Sequence, residues 1–293
     1  MTKVIPKKAY KNKEKRNKEK KKQTELVLPS IPKISQSLVK SLFQYKMDEE
    51  CGVRIYEQYV NKTLFPPSDV QQLGIYFEYI ATNQLPKSKD VPQAKTLKNG
   101  KLTLPYARME AQKDNFLNLM ERMNFSVEIT GHEFNNPKYS GVADIIALDN
   151  NIKSKDVYKK RIIIDLKTSG LLSDKWSKYG WADESIEEKD ELLIQAIHYK
   201  MLAKYEWGID DIPFYFFVFS NKNDWEYKIF KVNVDEATYK QHYNSLINIK
   251  KYLDEQLKVG FKAKPSLPRC HSCPMSENCL ESADIPKIQE VYV

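Results

Sequence analysis

Leu38, Val39, Leu42, Phe43 and Met47 recur at three- and four-residue intervals, which predicts an amphipathic helix over residues 35–47 with Ser35 as its N-cap. The same period predicts helices over 53–60, 69–82 (capped by Ser68 or Asp69), 106–123, 189–205 and 235–258, the last capped by Asp235. Short β-branched and aromatic runs at 125–131, 142–148, 161–167, 213–220 and 227–232 read as strands. Turn residues punctuate them at Asn135-Asn136-Pro137, Asp149-Asn150-Asn151 and 221–224. Residues 84–105 have three prolines, five lysines and no period, so they read as a long loop. Residues 170–187 read as a polar loop bearing Trp and Tyr, and 262–293 as irregular. Five strands with helices before, between and after predict an α/β fold, a central mixed β-sheet flanked by helices.

Composition narrows the class. Of 293 residues, 41% are hydrophobic and 12% aromatic, enough to bury a core. The longest apolar run, 212–219, has the length of a strand and not of a membrane span. The N-terminal stretch has cations but no apolar segment or cleavage site, so no signal peptide is expected, and four cysteines are too few for a disulfide scaffold. The expected compartment is the cytoplasm, with no membrane partner.

The formal net charge of +8 is unevenly placed. Residues 1–23 hold eleven cations against Glu14 and Glu19, a net of +9; residues 24–293 hold 36 cations and 37 anions, a net of −1. The expectation is a disordered basic tail over 1–23 and one folded domain over 24–293. A near-neutral domain can then attract an anionic partner only through a local asymmetry of its charges.

The segment 141–167 carries the clearest chemistry. Asp144 follows Gly141-Val142-Ala143, and Asp165 and Lys167 stand two apart at the end of the apolar run 162–164, so they share one strand face. A carboxylate at the end of a buried run needs a partner or a cation. Asp144, Asp165 and the carbonyl of Leu166 make a hard oxygen set suited to Mg²⁺ or Mn²⁺, with Lys167 placed to steady a water and developing charge. Such a set fits phosphodiester hydrolysis. On the Asp-x-Lys triplet alone, an ion pair at a strand end with Asp144 a turn acid is the simpler account. Other groups add to the picture: Glu78 on the helix 69–82, Gln195 and Tyr199 at i and i+4 on one helix face, and more weakly Glu128. Trp176, Lys178, Tyr179 and Trp181 form an aromatic–cationic loop that either stacks single-stranded bases or is anchored by buried tryptophans.

In chain order, Gly74/Glu78, Gly141/Asp144, Asp165/Lys167 and Gln195/Tyr199 resemble the motif series of the PD-(D/E)XK nuclease superfamily and its RecB-type domains. The series is Gly-x-x-x-His or -Glu, Gly-x-x-Asp, Asp/Glu-x-Lys and Gln-x-x-x-Tyr, and Thr168-Ser169 extend the likeness. Many RecB-type members carry His where this chain has Glu78; lambda-exonuclease-like members carry Glu. The resemblance implies a restriction-endonuclease-like core and a Mg²⁺- or Mn²⁺-dependent DNA nuclease. In it Asp144, Asp165, Leu166 and Glu78 hold the metal, Lys167 acts in catalysis, and Gln195 and Tyr199 hold the DNA. It implies an exonuclease or end-processing enzyme of recombination, replication or viral DNA metabolism, working beside a separate helicase or recombination protein. A non-cleaving nucleic-acid-binding or virion-associated protein of the same fold is the other reading.

Cys270, Cys273 and Cys279 have the spacing C-x2-C-x5-C, and the remaining cysteine is Cys51. Spacing alone suggests a zinc site, with His271 a substitute ligand. One early cysteine and this late triplet, with Ser35-x-Ser37 upstream of Cys51-Gly52, are similar to the iron–sulfur staple of the AddB nuclease domain and the CRISPR-associated RecB-like nucleases. That likeness implies a 4Fe–4S cluster joining the N- and C-terminal segments, with Arg269 near it as a phosphate contact.

Overall fold

The apolar runs at 161–169 and 214–220 lie side by side at the centre of one sheet. The structure, a computed structural model, describes residues 30–85, 90–175, 180–183, 190–276 and 279. In chain order these form β1 (Ile34–Ser35), α1 (Gln36–Lys46), α2 (Gly52–Ile55) continued by a π-helical turn (Tyr56–Val60), α3 (Asp69–Thr82) and α4 (Leu104–Arg122). Then come β2 (Phe125–Glu133), β3 (Tyr139–Ser140), β4 (Val142–Asp149), β5 (Arg161–Ser169) and α5 (Asp190–Trp207). The last are β6 (Phe214–Ser220), β7 (Tyr227–Val232), α6 (Glu236–Val259) and α7 (Leu267–His271).

The main sheet has the order β2-β4-β5-β6-β7. It is mixed: β5 and β6 run parallel, and the other three pairings are antiparallel. Every residue of β6 is buried, because alternate side chains feed opposite cores. Phe214, Phe216 and Val218 join Leu38, Leu42, Leu202 and Leu246 under α1, α5 and α6. Tyr215, Phe217 and Phe219 join Phe77, Met109 and Phe116 under α3 and α4. The result is three layers, helices on both faces of one mixed sheet, as the sequence predicts.

Local chemistry sets the helix starts. The Ser35 hydroxyl accepts from the Leu38 amide at 3.2 Å, Ser68 and Gln71 form a reciprocal capping box, and Asp235 accepts from the Thr238 amide at 2.6 Å. All five predicted strands are present. The structure departs from the sequence reading in three places. The segment 53–60 is helical only to Ile55 and then widens to a π turn. A short helix, α7, interrupts the irregular C-terminal segment. A two-residue parallel pair, Ile34↔Tyr139 and Ser35↔Ser140, is too short to leave a period in the sequence. Among the described residues no helix is long and apolar enough to cross a membrane.

Candidate active site

The two central acids are placed where adjacent strands part. β4 pairs with β5 only from Ile145↔Ile164 to Leu148↔Arg161. Beyond that point the Leu166 amide donates to Asp144 Oδ2 at 2.9 Å, so a side-chain carboxylate takes over from the ladder. Gly141, at the mouth of β4, leaves room for α5: a Cβ there would lie 2.7 Å from both Tyr199 Cε1 and Leu202 Cδ1. Tyr199 then donates its hydroxyl to the Val142 carbonyl at 2.8 Å. On β5, Asp165 is 2% exposed. Gln195 Nε2 donates to its Oδ1 at 2.5 Å, and the Lys167 ammonium is paired with its Oδ2. Both oxygens of Asp165 are thus engaged, Oδ1 by a carboxamide and Oδ2 by an ammonium.

Four charged groups therefore act on one another. Burial raises the Asp144 pKa well above the usual carboxylate range, and the charges of Asp165 and Glu78 raise it further. Burial also raises Asp165, outweighing the opposing pull of Lys167 and Gln195. Glu78, brought in by α3, is raised by burial and then by Asp165. Burial works against the Lys167 ammonium, but Asp165 and Asp144 overcome it and hold Lys167 charged. Among the described residues, no three His, Cys, Asp or Glu side chains stand close enough to form a ready-made metal site.

Glu78, Asp144 and Tyr199 line an open cleft of about 910 Å³. Ser35, Gln36 and Ser37 at the start of α1 line it too, as do Gln84, Gly131 and Glu133. Among the described residues, its lining includes three carboxylates. Glu133 and Gln84 escaped the sequence reading. The available signal was Gly131 inside a strand, since a strand glycine marks close backbone approach.

Other sequence candidates fall elsewhere. Gln195 and Tyr199 share a helix face as predicted, but each donates to a protein group. Glu128 makes a bidentate pair with Arg161 (2.7 Å each), and the guanidinium sits over the Tyr158 and Trp207 rings. That arrangement is a structural clamp. Trp181 is buried against Phe216 and Phe230, so it anchors its loop and does not stack bases; Trp176, Lys178 and Tyr179 lie outside the described residues. Among the described residues, the solvent-facing tryptophan is Trp225, in the β6–β7 turn, at 72% exposure.

Cys51, Cys270, Cys273 and Cys279 line one small pocket. Arg269 closes it by donating to the main-chain oxygens of Asp48 and Lys264, which spends donors that the sequence reading gave to phosphate. His271 is exposed and not among the lining residues.

No protein-family model matches this chain, and no curated protein matches it significantly. Solved structures do. A crystal structure of a "putative exonuclease" from Eubacterium rectale superposes with a TM-score of 0.55 at 16% identity, covering 99% of this chain and 97% of the other. An alkaline exonuclease from Laribacter hongkongensis gives 0.43 at 11% identity, covering 78% of this chain and 91% of the other. At 16% identity, the first likeness is one of fold.

Proposed function

We propose that this chain is a metal-dependent DNA nuclease of the PD-(D/E)XK type, an exonuclease or end-processing enzyme. The observation that carries this reading is the mutual interaction of Glu78, Asp144, Asp165 and Lys167, with Glu78 and Asp144 on the wall of an open cleft. Three mutually repelling, desolvated carboxylates beside a charged lysine form a costly arrangement with no evident value to the fold. The donor chemistry fits a hard cation: carboxylate oxygens gathered where burial works against their charge. Asp144 and Asp165 would hold Mg²⁺ or Mn²⁺, with the Leu166 carbonyl and Glu78 completing the set. Bound metal supplies Lewis acidity and an acidified water.

The chain's own groups do the rest. Lys167, held protonated, donates toward the attacking water and the phosphoryl oxygens as charge develops. Gln195 fixes the rotamer of Asp165, and Tyr199 fixes the backbone two residues before Asp144. Both are proposed as positioning residues. DNA is the proposed substrate, and the fold shared with the Eubacterium rectale protein supports that choice. Residues 24–293 are proposed as one nuclease unit and 1–23 as a separable basic arm. A separate helicase or recombination protein is the proposed companion.

The test is cleavage of end-labelled linear DNA with Mg²⁺ or Mn²⁺ by wild type, Asp165→Ala and Lys167→Ala. Loss of cleavage in both variants is expected. Cleavage that persists in both would reject the site, and none in wild type would favour the non-cleaving reading.

We propose in addition that the four cysteines hold a 4Fe–4S cluster, with zinc as the alternative. The supporting observation is that Cys51 shares a pocket with three cysteines more than two hundred positions later. Protein purified without oxygen should be brown with about four iron per chain. A colourless preparation with one zinc would decide for the alternative.

A further inference from the structure

We propose that Gln84 is a substrate-binding residue, a fixed uncharged donor that holds a phosphodiester oxygen of the strand in the cleft. This rests on the nuclease reading above. α3 ends at Asn83, whose φ of 58° is a left-handed cap that turns the chain back over β2. There the Thr130 hydroxyl donates to Gln84 Oε1 at 3.0 Å. Beneath the carboxamide lies Gly131, with φ 61°; a Cβ at that position would stand 2.7 Å from Gln84 Nε2 and 2.8 Å from Cδ. The amide thus rests on backbone that a side chain would have covered, and Thr130 fixes which end points where.

With Oε1 engaged, Nε2 is the group left to give. Its contact with the Leu85 carbonyl is 3.5 Å, the outer limit of a hydrogen bond. Among the described residues, the lining of the cleft it faces carries the carboxylates Glu78, Glu133 and Asp144. Beside such acids a neutral donor can hold an oxygen of a polyanion without being drawn into an ion pair. A carboxamide nitrogen gives two N–H groups and brings no charge that would pair with the neighbouring carboxylates.

The test compares wild type, Gln84→Ala and Gln84→Glu in Mg²⁺-dependent cleavage of single- and double-stranded oligonucleotides. Gln84→Glu keeps the size and the acceptor for Thr130 but replaces the N–H groups with a negative charge, so it should weaken binding more than Gln84→Ala. In Gln84→Ala, one lost bond to a charged oxygen predicts a rise in KM of roughly 10- to 100-fold, larger than the fall in kcat. For Gln84→Ala it also predicts an unchanged dependence of KM on salt, because no charge is added or removed. Oligonucleotides carrying one methylphosphonate linkage at successive positions supply the second readout. At one linkage the neutral group should penalise wild type and add nothing in Gln84→Ala. An unchanged KM in both variants, or additive penalties at every linkage, would overturn the proposal while wild-type cleavage still upholds the nuclease reading. Absence of cleavage in wild type would overturn both.

Discussion

Asp144 shows how one residue can work against the fold that carries it. Its carboxylate accepts from the Leu166 amide, yet burial and the charges of Asp165 and Glu78 make its ionised form expensive. Asparagine keeps an oxygen for that amide and removes the charge. Asp144→Asn is therefore expected to raise the melting temperature of metal-free protein and to abolish cleavage. Differential scanning calorimetry in chelator, beside the cleavage assay, checks both halves. His198 and His242 give the opposite pH behaviour. Their rings are 6.4 Å apart between α5 and α6, and burial holds each at a pKa of about 4. A histidine whose folded pKa lies below 6.5 adds stability above pH 6.5, and that stability is lost as pH falls toward 4. Each should cost about 2 kcal/mol by pH 5 relative to neutral pH. Denaturant unfolding at pH 7 and pH 5 should show that loss halved in His242→Leu. An equal loss in the variant would mean that His242 is already charged in the fold.

At the scale of elements, strands and caps were legible because each is written in local chemistry: β-branched runs, and Ser or Asp before an apolar period. What was hidden depends on contacts between distant segments. The β1–β3 pair, the left-handed Gly131 and the divergence of β4 from β5 at Asp144 are set by which elements meet. The motif glycines show the same divide. Both stand out in the sequence, yet only one is sterically required. A Cβ at Gly141 would collide with Tyr199 and Leu202, so Gly141→Ala should cost about 1–3 kcal/mol. At Gly74 the nearest atom outside the helix would be Thr168 Oγ1 at 3.5 Å, ordinary contact. Gly74→Ala should therefore gain up to about 1 kcal/mol from helix propensity. Urea unfolding of the two variants measures the contrast; equal effects would show that packing on α3 was misjudged. The candidate site divides similarly. Asp144, Asp165 and Lys167 stand out because charge interrupts apolar runs, whereas Gln84 and Glu133 are ordinary polar residues until the cleft brings them together.

For the whole molecule, net charge describes the tail more than the domain. The described lining of the cleft is acidic, and residues 1–23 hold the densest cations, so under the proposed function the tail is the candidate source of general attraction to nucleic acid. Deleting them should weaken nonspecific DNA affinity and reduce the slope of log affinity against log salt, while metal-dependent chemistry persists. Fluorescence anisotropy across a salt series gives the slope, and an unchanged slope would assign the attraction to the domain. The placement of α1 has a consequence for synthesis. Leu38, Val39 and Leu42 belong to the core completed by α5 and α6. A chain growing from its N-terminus exposes that apolar stripe until segments roughly 200 residues later have left the ribosome, about 10–40 s at ordinary rates. During that interval the lysines just upstream are the nearest solubilising charge, so loss of the tail should lower the yield of newly made protein even where the finished fold is unaffected.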